Sequence, residues 1–299
     1  MMQFQKKSVR HWLEFLLRPF VMVMAYSYFR SSDMVSKSIG RVDQEWEQRI
    51  KNVISCPDNR EIERCSDAGA ISKYWMTMHN GVKVCANGYY GSGMLNLLIE
   101  NRGVHEPQEE LVFEEVIRIL PANPVMLELG AYWSFYSLSL LSKRPNAACH
   151  MVEPDSRNLV AGKINFKLNE RTGRFTQAAV SSHRSWWHRT ISVDSYCETR
   201  SLVHLDILHV DIQGYESAML DGAQRMLFEG RVDYVFISTH SNSLHHECRL
   251  KLETYGYVIR LSIDLDESYS FDGLLFATHP RVQFDCPVVS YRNSNKVVQ

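Results

Sequence analysis

The sequence predicts an α/β protein in which a doubly wound, Rossmann-like sheet follows an N-terminal α+β extension. Two observations support this prediction. From residue 125 onward, apolar segments of strand length alternate with segments of helical periodicity, and the first two of these strands end in carboxylates. The chain of 299 residues is long enough for one large domain and an extension. We expect the extension at residues 1–105 and the sheet domain at residues 106–299.

The elements of the sheet domain follow one another in β-then-α order, which indicates a mainly parallel sheet. A helix with acids in its first turn is predicted at residues 108–120, ahead of the first strand. The predicted strands are residues 125–129, 149–153, 175–180, 207–210, 234–238, 258–263 and 274–278. The predicted helices between them are residues 135–142, 156–168, 216–228 and 244–255.

The extension carries two further predicted elements. Residues 43–54 form an amphipathic pattern with Trp46, Ile50 and Ile54 on one stripe. Residues 74–93 are rich in glycine and aromatic residues, which predicts short strands joined by turns at Asn80-Gly81 and Asn87-Gly88. The imidazole, amide, carboxylate and aromatic groups of residues 78–81, 89–91 and 105–110 would suit a sugar-binding lid, although a small hairpin packed on the sheet explains them at least as well.

An apolar segment at residues 12–29 precedes these elements. Glu14, Arg18 and Pro19 interrupt it, whereas a membrane span needs about 20 nearly uninterrupted apolar residues. No cleavage site of a signal peptide follows it. We therefore expect a packing helix, with peripheral membrane contact through residues 12–29 as the alternative.

The composition is that of an ordinary globular protein. Hydrophobic residues make up 45% of the chain, charged residues 22%, and the formal net charge is -1. No overall field attracts nucleic acid, so no nucleic-acid partner is expected. The seven cysteines are scattered without a C-x-x-C motif, which argues against a disulfide framework and favours a cytoplasmic location.

Two strand ends carry the strongest functional signal. The first strand ends in Met126-Leu127-Glu128-Leu129-Gly130 and the second in Val152-Glu153-Pro154-Asp155, the arrangement in which a Rossmann-like sheet binds an adenosine cofactor. A dinucleotide site needs G-x-G-x-x-G, but Tyr132 lies two residues and Ser134 four residues after Gly130. Bulky side chains there would obstruct a pyrophosphate. The cofactor predicted is therefore S-adenosylmethionine rather than NAD.

Roles can be assigned within such a site. Gly130 would allow close approach of the cofactor, Glu128 would accept from its ammonium group, and Glu153 would bind the ribose hydroxyls. An aromatic ring beside the sulfonium would add a cation–π attraction, and Tyr132 or Trp133 could supply it, although Trp133 also fits a core position. The remaining predicted cofactor contacts are Asp155 and Asp211.

A third block makes a family resemblance recognisable. The run His209-Val210-Asp211-Ile212-Gln213-Gly214-Tyr215-Glu216 leads into Leu220-Asp221-Gly222-Ala223. Together with the two strand ends, it makes the chain resemble the FkbM family of S-adenosylmethionine-dependent methyltransferases from about residue 109 to residue 278. The resemblance implies a seven-stranded methyltransferase sheet with an antiparallel last strand, and O-methylation of a hydroxyl on a sugar or other natural product. The family usually has Asn and Gly where this chain has Tyr132 and Ser134.

Methyl transfer to a hydroxyl is an in-line displacement that needs positioning and gains from a base. The base candidates follow central strands, at Asp211 and His240. The family commonly has a histidine at the position of His240, so His240 is expected as the base and Asp211 as an orienting or substrate-binding acid. The alternatives are a backbone-bonded loop residue for His240 and a helix cap for Asp211. Glu216 would equally suit a helix dipole.

No catalytic metal is expected. His245 and His246 are adjacent on a predicted helix and therefore diverge by about 100°, and no zinc-binding spacing occurs. Asp211 with a second acid could still hold magnesium.

The leading functional prediction is a cytoplasmic S-adenosylmethionine-dependent O-methyltransferase. Its acceptor would be a hydroxylated small molecule or glycan, as in polysaccharide biosynthesis. One alternative is a non-catalytic adenosine-ligand or glycan-binding protein of the same fold. A nicotinamide-dependent enzyme is the other, and the missing glycines argue against it.

Overall fold

The computed structural model describes residues 22–185 and 189–293. Residues 22–29 are helical, while the rest of the apolar segment predicted at residues 12–29 lies outside the described residues. Within the described ranges, no helix combines the length and apolar character that crossing a bilayer requires.

Besides the helical residues 22–29, the described part of the extension contains three α-helices and a small antiparallel sheet. The helices are α1 (Ser32–Ser38), α2 (Gln44–Ser55) and α3 (Gly91–Glu100), and the strands are β1 (Ile71–Ser72), β2 (Trp75–Thr77) and β3 (Lys83–Cys85). The helix predicted at residues 43–54 is confirmed, and the Asp43 side chain caps it by accepting from the backbone N–H of Trp46. Its buried stripe, however, runs through Ile50 and Val53, while Ile54 is exposed.

The predicted turn at Asn80-Gly81 is confirmed, because β2 and β3 pair across it and Gly81 takes a positive φ. The β region predicted as far as residue 93 ends earlier than expected. Helix α3 begins at Gly91, and its Leu95 and Leu97 are fully buried. Burial of this apolar face outweighs the low helix propensity of the glycines.

Seven strands form the main sheet, with the predicted strand positions confirmed to within a few residues. The strands of the domain are β4 (Val125–Leu129), β5 (Ala148–Val152), β6 (Arg174–Thr176), β7 (Ala179–Val180), β8 (Thr190–Ile191), β9 (Leu205–Val210), β10 (Val232–Thr239), β11 (Val258–Ile263) and β12 (Gly273–Thr278). The sheet order is β11-β12-β10-β9-β4-β5-β6, and β12 is antiparallel to both of its neighbours. The strand order reverses between β4 and β9, where a doubly wound sheet opens a ligand crevice.

The helices of the domain are α4 (Pro107–Ile119), α5 (Phe135–Lys143), α6 (Ser156–Leu168), α7 (Val193–Arg200), α8 (Glu216–Asp221), α9 (Gln224–Phe228) and α10 (Asn242–Thr254). The prediction of one helix at residues 216–228 was wrong, because the chain breaks at Gly222, where a Cβ would lie 2.5 Å from the carbonyl oxygen of Ser181. The strand predicted at residues 175–180 is likewise two strands, since β7 pairs with β8 outside the main sheet. Helix α7 was not predicted.

Two hydrophobic clusters cover the two faces of the sheet. One contains residues of the extension and of α4, α5 and α6, and the other contains residues of α7 to α10. The extension therefore shares a core with one face of the sheet. Asn165 of α6 strengthens this contact, because its Oδ1 accepts from the backbone N–H of Cys85 at 2.7 Å. The boundary expected near residue 105 falls within this continuous core.

Candidate functional site

The site is built where β4, β5 and β9 end together. The backbone N–H groups of Gly130 and Ala131 both donate to the carbonyl oxygen of Val152, and that of Asp211 donates to the carbonyl oxygen of Leu129. Gly130 has a φ of +74°, and a Cβ there would lie 1.6 Å from the carbonyl oxygen of Asp211. This glycine is therefore required by the close approach of two strand ends, whatever ligand lies above them.

Glu128 lies beneath this turn, fully buried. Its Oε2 accepts from the hydroxyl and, at 3.2 Å, from the backbone N–H of Ser137 in the first turn of α5. Burial raises the pKa of the Glu128 carboxyl to about 7. A dinucleotide fold directs such helix N-terminal amides at a phosphate, but here one of them binds a carboxylate. Because the backbone N–H of Ser137 is already bound by Glu128, the first turn of α5 suits a cofactor without a pyrophosphate. The predicted contact of Glu128 with an ammonium group remains a prediction.

Glu153 follows β5 and is only 6% exposed. Its Oε2 accepts from the backbone N–H of Tyr132 at 3.2 Å, and its Oε1 accepts from the backbone N–H of Asp155 at 2.8 Å and from Asn158 at 3.2 Å. Burial raises the pKa of this carboxyl. These bonds fix its orientation at the edge of the crevice. Asp155 caps α6 and binds Arg157 through both of its oxygens, so in this structure its side chain has a structural role.

A second group of polar residues meets at the ends of β9 and β10. His240 lies within hydrogen-bonding or ion-pairing distance of three carboxylates. Its Nδ1 is 2.9 Å from Oε1 of Glu216, and its Nε2 is 3.2 Å from Oδ1 of Asp211 and 3.4 Å from Oδ1 of Asp272. The structure thus brings together the two predicted catalytic residues and adds two acids to them. We call these four residues the His240 cluster.

The protonation of the cluster follows from these contacts. Burial lowers the pKa of the His240 imidazole, but the hydrogen bonds to Asp211 and Glu216 outweigh it and raise the pKa to about 10. Burial raises the pKa of Asp272 to about 7, even though His240 opposes this change. At neutral pH the imidazole is therefore charged, and Asp272 is the group of the pair that titrates.

Gln213 contributes a contact that suits a neutral imidazole instead. Its Nε2 donates to Oδ1 of Asp211 at 2.8 Å and lies 2.7 Å from Nε2 of His240. If the His240 ring is charged, its Nε2–H and the Nε2–H of Gln213 are two donors facing each other. The Gln213 side chain is exposed and can rotate away to relieve this contact. The three surrounding carboxylates favour the charged ring, so we assign the imidazolium as the resting state.

Glu216 holds the loop that carries the cluster. Besides His240, its Oε1 accepts from the backbone N–H groups of Ile212 at 3.3 Å and Gly214 at 3.1 Å. The sequence suggested a helix-dipole role, whereas the structure shows a buried acid that positions the loop and the imidazole. Asp272 was missed altogether. The sequence could have indicated this residue, because it directly precedes β12. An antiparallel strand begins on the side of the sheet where its parallel neighbours end, so the residue before it lies at the site.

Aromatic rings form one wall beside the turn after β4. Trp133 is buried and stacks on Tyr89 with ring centroids 4.5 Å apart and planes 3° from parallel. Tyr132 meets Tyr89 and Tyr90 edge-on at 4.8 and 5.3 Å. Trp133 therefore occupies a core position, and Tyr132 is the more accessible of the two rings considered for the sulfonium.

A buried network beneath α4 extends toward the site. Glu110 lies 2.9 Å from Nδ1 of His79 and 2.6 Å from Nδ1 of His105. Burial opposes ionisation of all three groups, but their mutual attraction lowers the pKa of Glu110 and raises the pKa of His79 to about 9. Glu106, beside His105, accepts from the hydroxyl of Tyr136 at 2.6 Å. Burial raises the pKa of the Glu106 carboxyl to about 8. The residues considered for a sugar-binding lid thus include a buried charge network.

The two adjacent histidines diverge as the helix predicts. His245 is buried between Thr239 and Ser262, whereas His246 is exposed. Among the described residues, one group has metal-ligand spacing, namely His204, Asp206 and Asp233, with ligand atoms within 4.8 Å of one another. This group lies where β9 and β10 begin, at the opposite ends of these strands from the site. Arg281 already binds Asp233 there.

Comparison with known proteins supports the predicted resemblance. Residues 188–259 match the Methyltransferase FkbM domain. This stretch contains the Asp211-to-Glu216 block, while the two strand-end motifs lie before it. A comparison with curated proteins finds no match.

Several solved structures resemble the chain. An FkbM methyltransferase from Methylobacillus flagellatus KT is 15% identical with a TM-score of 0.44, over 74% of this chain and 58% of that one. A precorrin-6y C5,15-methyltransferase from Geobacter metallireducens GS-15 is 16% identical with a TM-score of 0.42, over 57% of this chain and 88% of that one. Aeropyrum pernix fibrillarin, solved with bound S-adenosyl-L-methionine, is 17% identical with a TM-score of 0.38, over 56% of this chain and 72% of that one. Because these scores are below 0.5, we base the fold on the strand order itself.

Proposed function

We propose that this chain, a methyltransferase with an FkbM domain, transfers the methyl group of S-adenosylmethionine to a hydroxyl of a sugar, glycan or related precursor. The observation that carries the proposal is the His240 cluster, which places a titrating carboxylate and an imidazolium beside the cofactor crevice. A hydroxyl acceptor needs such groups, because its proton must leave as the new bond forms.

The donor site uses the strand ends of β4 and β5. Glu153 would bind the ribose hydroxyls, Gly130 would admit the cofactor to the turn, and Glu128 and Asp211 lie on either side of that turn. When bound, the cofactor supplies an electrophilic methyl group. The absence of a free helix N-terminal amide at Ser137 supports this donor over a dinucleotide.

The acceptor hydroxyl would lie against the His240 cluster. We propose that its proton passes to the Asp272 carboxylate, while His240 stays protonated and stabilises the developing alkoxide. Glu216 positions the imidazole through Nδ1. His240 itself would accept a proton only above its pKa of about 10, so its predicted role as the base is restricted to alkaline pH.

One variant and one transfer assay test the assignment. Glu153→Ala should weaken binding of S-adenosylhomocysteine at least tenfold, because a charge-assisted hydrogen bond contributes about 1.5–3 kcal/mol. Titration calorimetry measures this, and unchanged affinity would remove Glu153 from the ribose site. Labelled S-adenosylmethionine supplied with fractionated cell glycans and lipids reports transfer. Cofactor binding without transfer to any hydroxylated fraction would favour the non-catalytic alternative.

The location is also a proposal. All seven cysteines are free, which supports a reducing, cytoplasmic compartment. Helical residues 22–29 expose Val23 (65%) and Met24 (57%), and the neighbouring groove contains Lys163 and Lys167 of α6. Apolar side chains flanked by lysines complement an anionic phospholipid surface, so we propose peripheral contact there.

Vesicle flotation tests the membrane contact. Lys163→Glu with Lys167→Glu should reduce flotation with phosphatidylglycerol vesicles, because it reverses the charge of the face. The same reversal at the exposed Arg231, just before β10, and Arg249 of α10, a helix that packs on the other face of the sheet, is the control. Equal flotation of both double variants, or no flotation of the unaltered chain, would contradict the proposal.

A further inference from the structure

A cavity of about 560 Å³ lies between helical residues 22–29 and the sheet domain. Tyr28 and Asn87 line it from the extension, and Tyr132 and Asn158 line it from the sheet domain. Its volume is within the usual range of small-molecule sites, about 300–1,000 Å³.

Asn87 is the unusual residue of this cavity. Its side chain is 4% exposed, and neither Nδ2 nor Oδ1 has a hydrogen-bond partner. A buried amide without partners is destabilising, so such a group needs an explanation. The amide has N–H donors on Nδ2 and an acceptor at Oδ1. It therefore matches a ligand in which a hydrogen-bond acceptor lies next to a hydrogen-bond donor.

The other lining residues narrow the class of ligand. Aromatic side chains from Tyr28, Phe29, Tyr90 and Tyr132 line the cavity together with Asn87, and they suit a ligand with apolar faces. The one charged lining residue is Arg157, whose guanidinium is bound by Asp155 at 2.8 Å. A neutral ring with polar edges and apolar faces, such as a pyranose, fits this lining.

The cavity adjoins both halves of the reaction site. Tyr132 lines it and donates its backbone N–H to Glu153, and Asn158 lines it and donates to the same carboxylate. Tyr90 lines it too, and its ring centroid is 5.3 Å from that of Tyr132, beside the turn where Gly130 meets the backbone of Asp211. A ligand in the cavity would therefore lie next to the segment that carries the His240 cluster.

We propose that this cavity is the acceptor subsite, in which Asn87 binds the polar edge of a pyranose while the tyrosine rings contact its faces. The inference rests on the proposed methyltransferase function and names its acceptor site. It also gives residues 22–29 and the extension a role in choosing the acceptor.

Ligand-detected NMR with two neutral probes tests the subsite. Methyl glucoside presents a vicinal diol, and methyl N-acetylglucosaminide adds an acetamido group. At least one should bind the full chain at millimolar concentration, and Asn87→Leu should weaken binding about tenfold or more, because paired hydrogen bonds are lost at similar side-chain size. Asn146→Leu, at an exposed site, is the matched control. Binding of neither probe, or equal binding by the Asn87 variant, would overturn the proposal.

Two further measurements on Asn87→Leu separate a binding role from a structural one. Removing an unpartnered buried amide should leave the thermal midpoint unchanged or raise it by roughly 2–4 °C, whereas a lower midpoint would show a structural role. Affinity for S-adenosylhomocysteine should not change. A loss of that affinity would place the cofactor in this cavity and overturn the acceptor assignment. Failure of the unaltered chain to bind S-adenosylhomocysteine would instead contradict the proposed function.

Discussion

Replacing Asp272 by asparagine should stabilise the protein at alkaline pH and change it little at acidic pH. In the folded chain the pKa of Asp272 is raised from 3.8 to about 7, chiefly by burial. Between these values the folded state binds a proton that the unfolded state has lost. Stability therefore falls as pH rises through this window, and the loss is complete above about pH 7.

The size of the effect follows from the pKa difference. A difference from 3.8 to about 7 corresponds to about 4 kcal/mol at 1.36 kcal/mol per pH unit. This is an upper value, because 23% of the Asp272 side chain is exposed to solvent. Asparagine resembles the protonated acid in shape and carries no charge. The variant should therefore recover much of that free energy at pH 8.5 and little of it at pH 4.

Urea unfolding of the unaltered chain, Asp272→Asn and the control Asp266→Asn at both pH values measures the effect. Asp266 lies in the same loop but is exposed, so its variant controls for the loss of a carboxylate from this loop. If Asp272→Asn destabilised the protein at pH 8.5, the carboxylate would be a net stabilising partner of His240. The assignment of Asp272 as the titrating group would then be refuted.

Three further predictions concern the site. Gly130→Ala should destabilise the fold by roughly 3 kcal/mol or more, or prevent folding, because the new Cβ would lie 1.6 Å from a carbonyl oxygen. Gly214→Ala, where a Cβ would have nothing within 4 Å, should cost only about 1 kcal/mol. Equal losses of stability in thermal unfolding would contradict the close approach at Gly130. The rate of methyl transfer should increase as pH rises through about 7, and this increase should be absent in Asp272→Asn. If the increase persisted in the variant, a group other than Asp272 would be responsible for it. His240→Gln should leave S-adenosylhomocysteine affinity unchanged but slow transfer by about 10²-fold, and an unaltered rate would exclude the imidazolium from the reaction.

Much of the fold could be predicted because local and tertiary preferences agree along the sheet. Strands such as β4 and β9 consist mainly of apolar residues and are buried along almost their whole length, as expected when both faces of a sheet are covered. The failures have a common cause. Helix α3 and the break at Gly222 depend on contacts with distant residues, and these contacts leave no periodic signal in the local sequence.

The same distinction applies to the site. Glu153, Asp211 and His240 follow strands, so their position at the crevice could be predicted from element order. Asn87 lies in the extension, and only the docking of the extension onto the sheet domain brings it near the site. The charge on His240 also required the structure, because it depends on how closely three acids from separate segments approach one ring.

The charge network under α4 ties the extension to the sheet domain, so we expect the two to fold as one unit rather than as interchangeable modules. A chain beginning at residue 106 would keep Glu110 but lose His79 and His105, which leaves a buried carboxylate without its two counter-charges. Such a truncated chain should fail to fold, and the intact chain should unfold in one cooperative transition. The acceptor role proposed for the extension could therefore be exchanged by grafting only if these histidines were transferred with it.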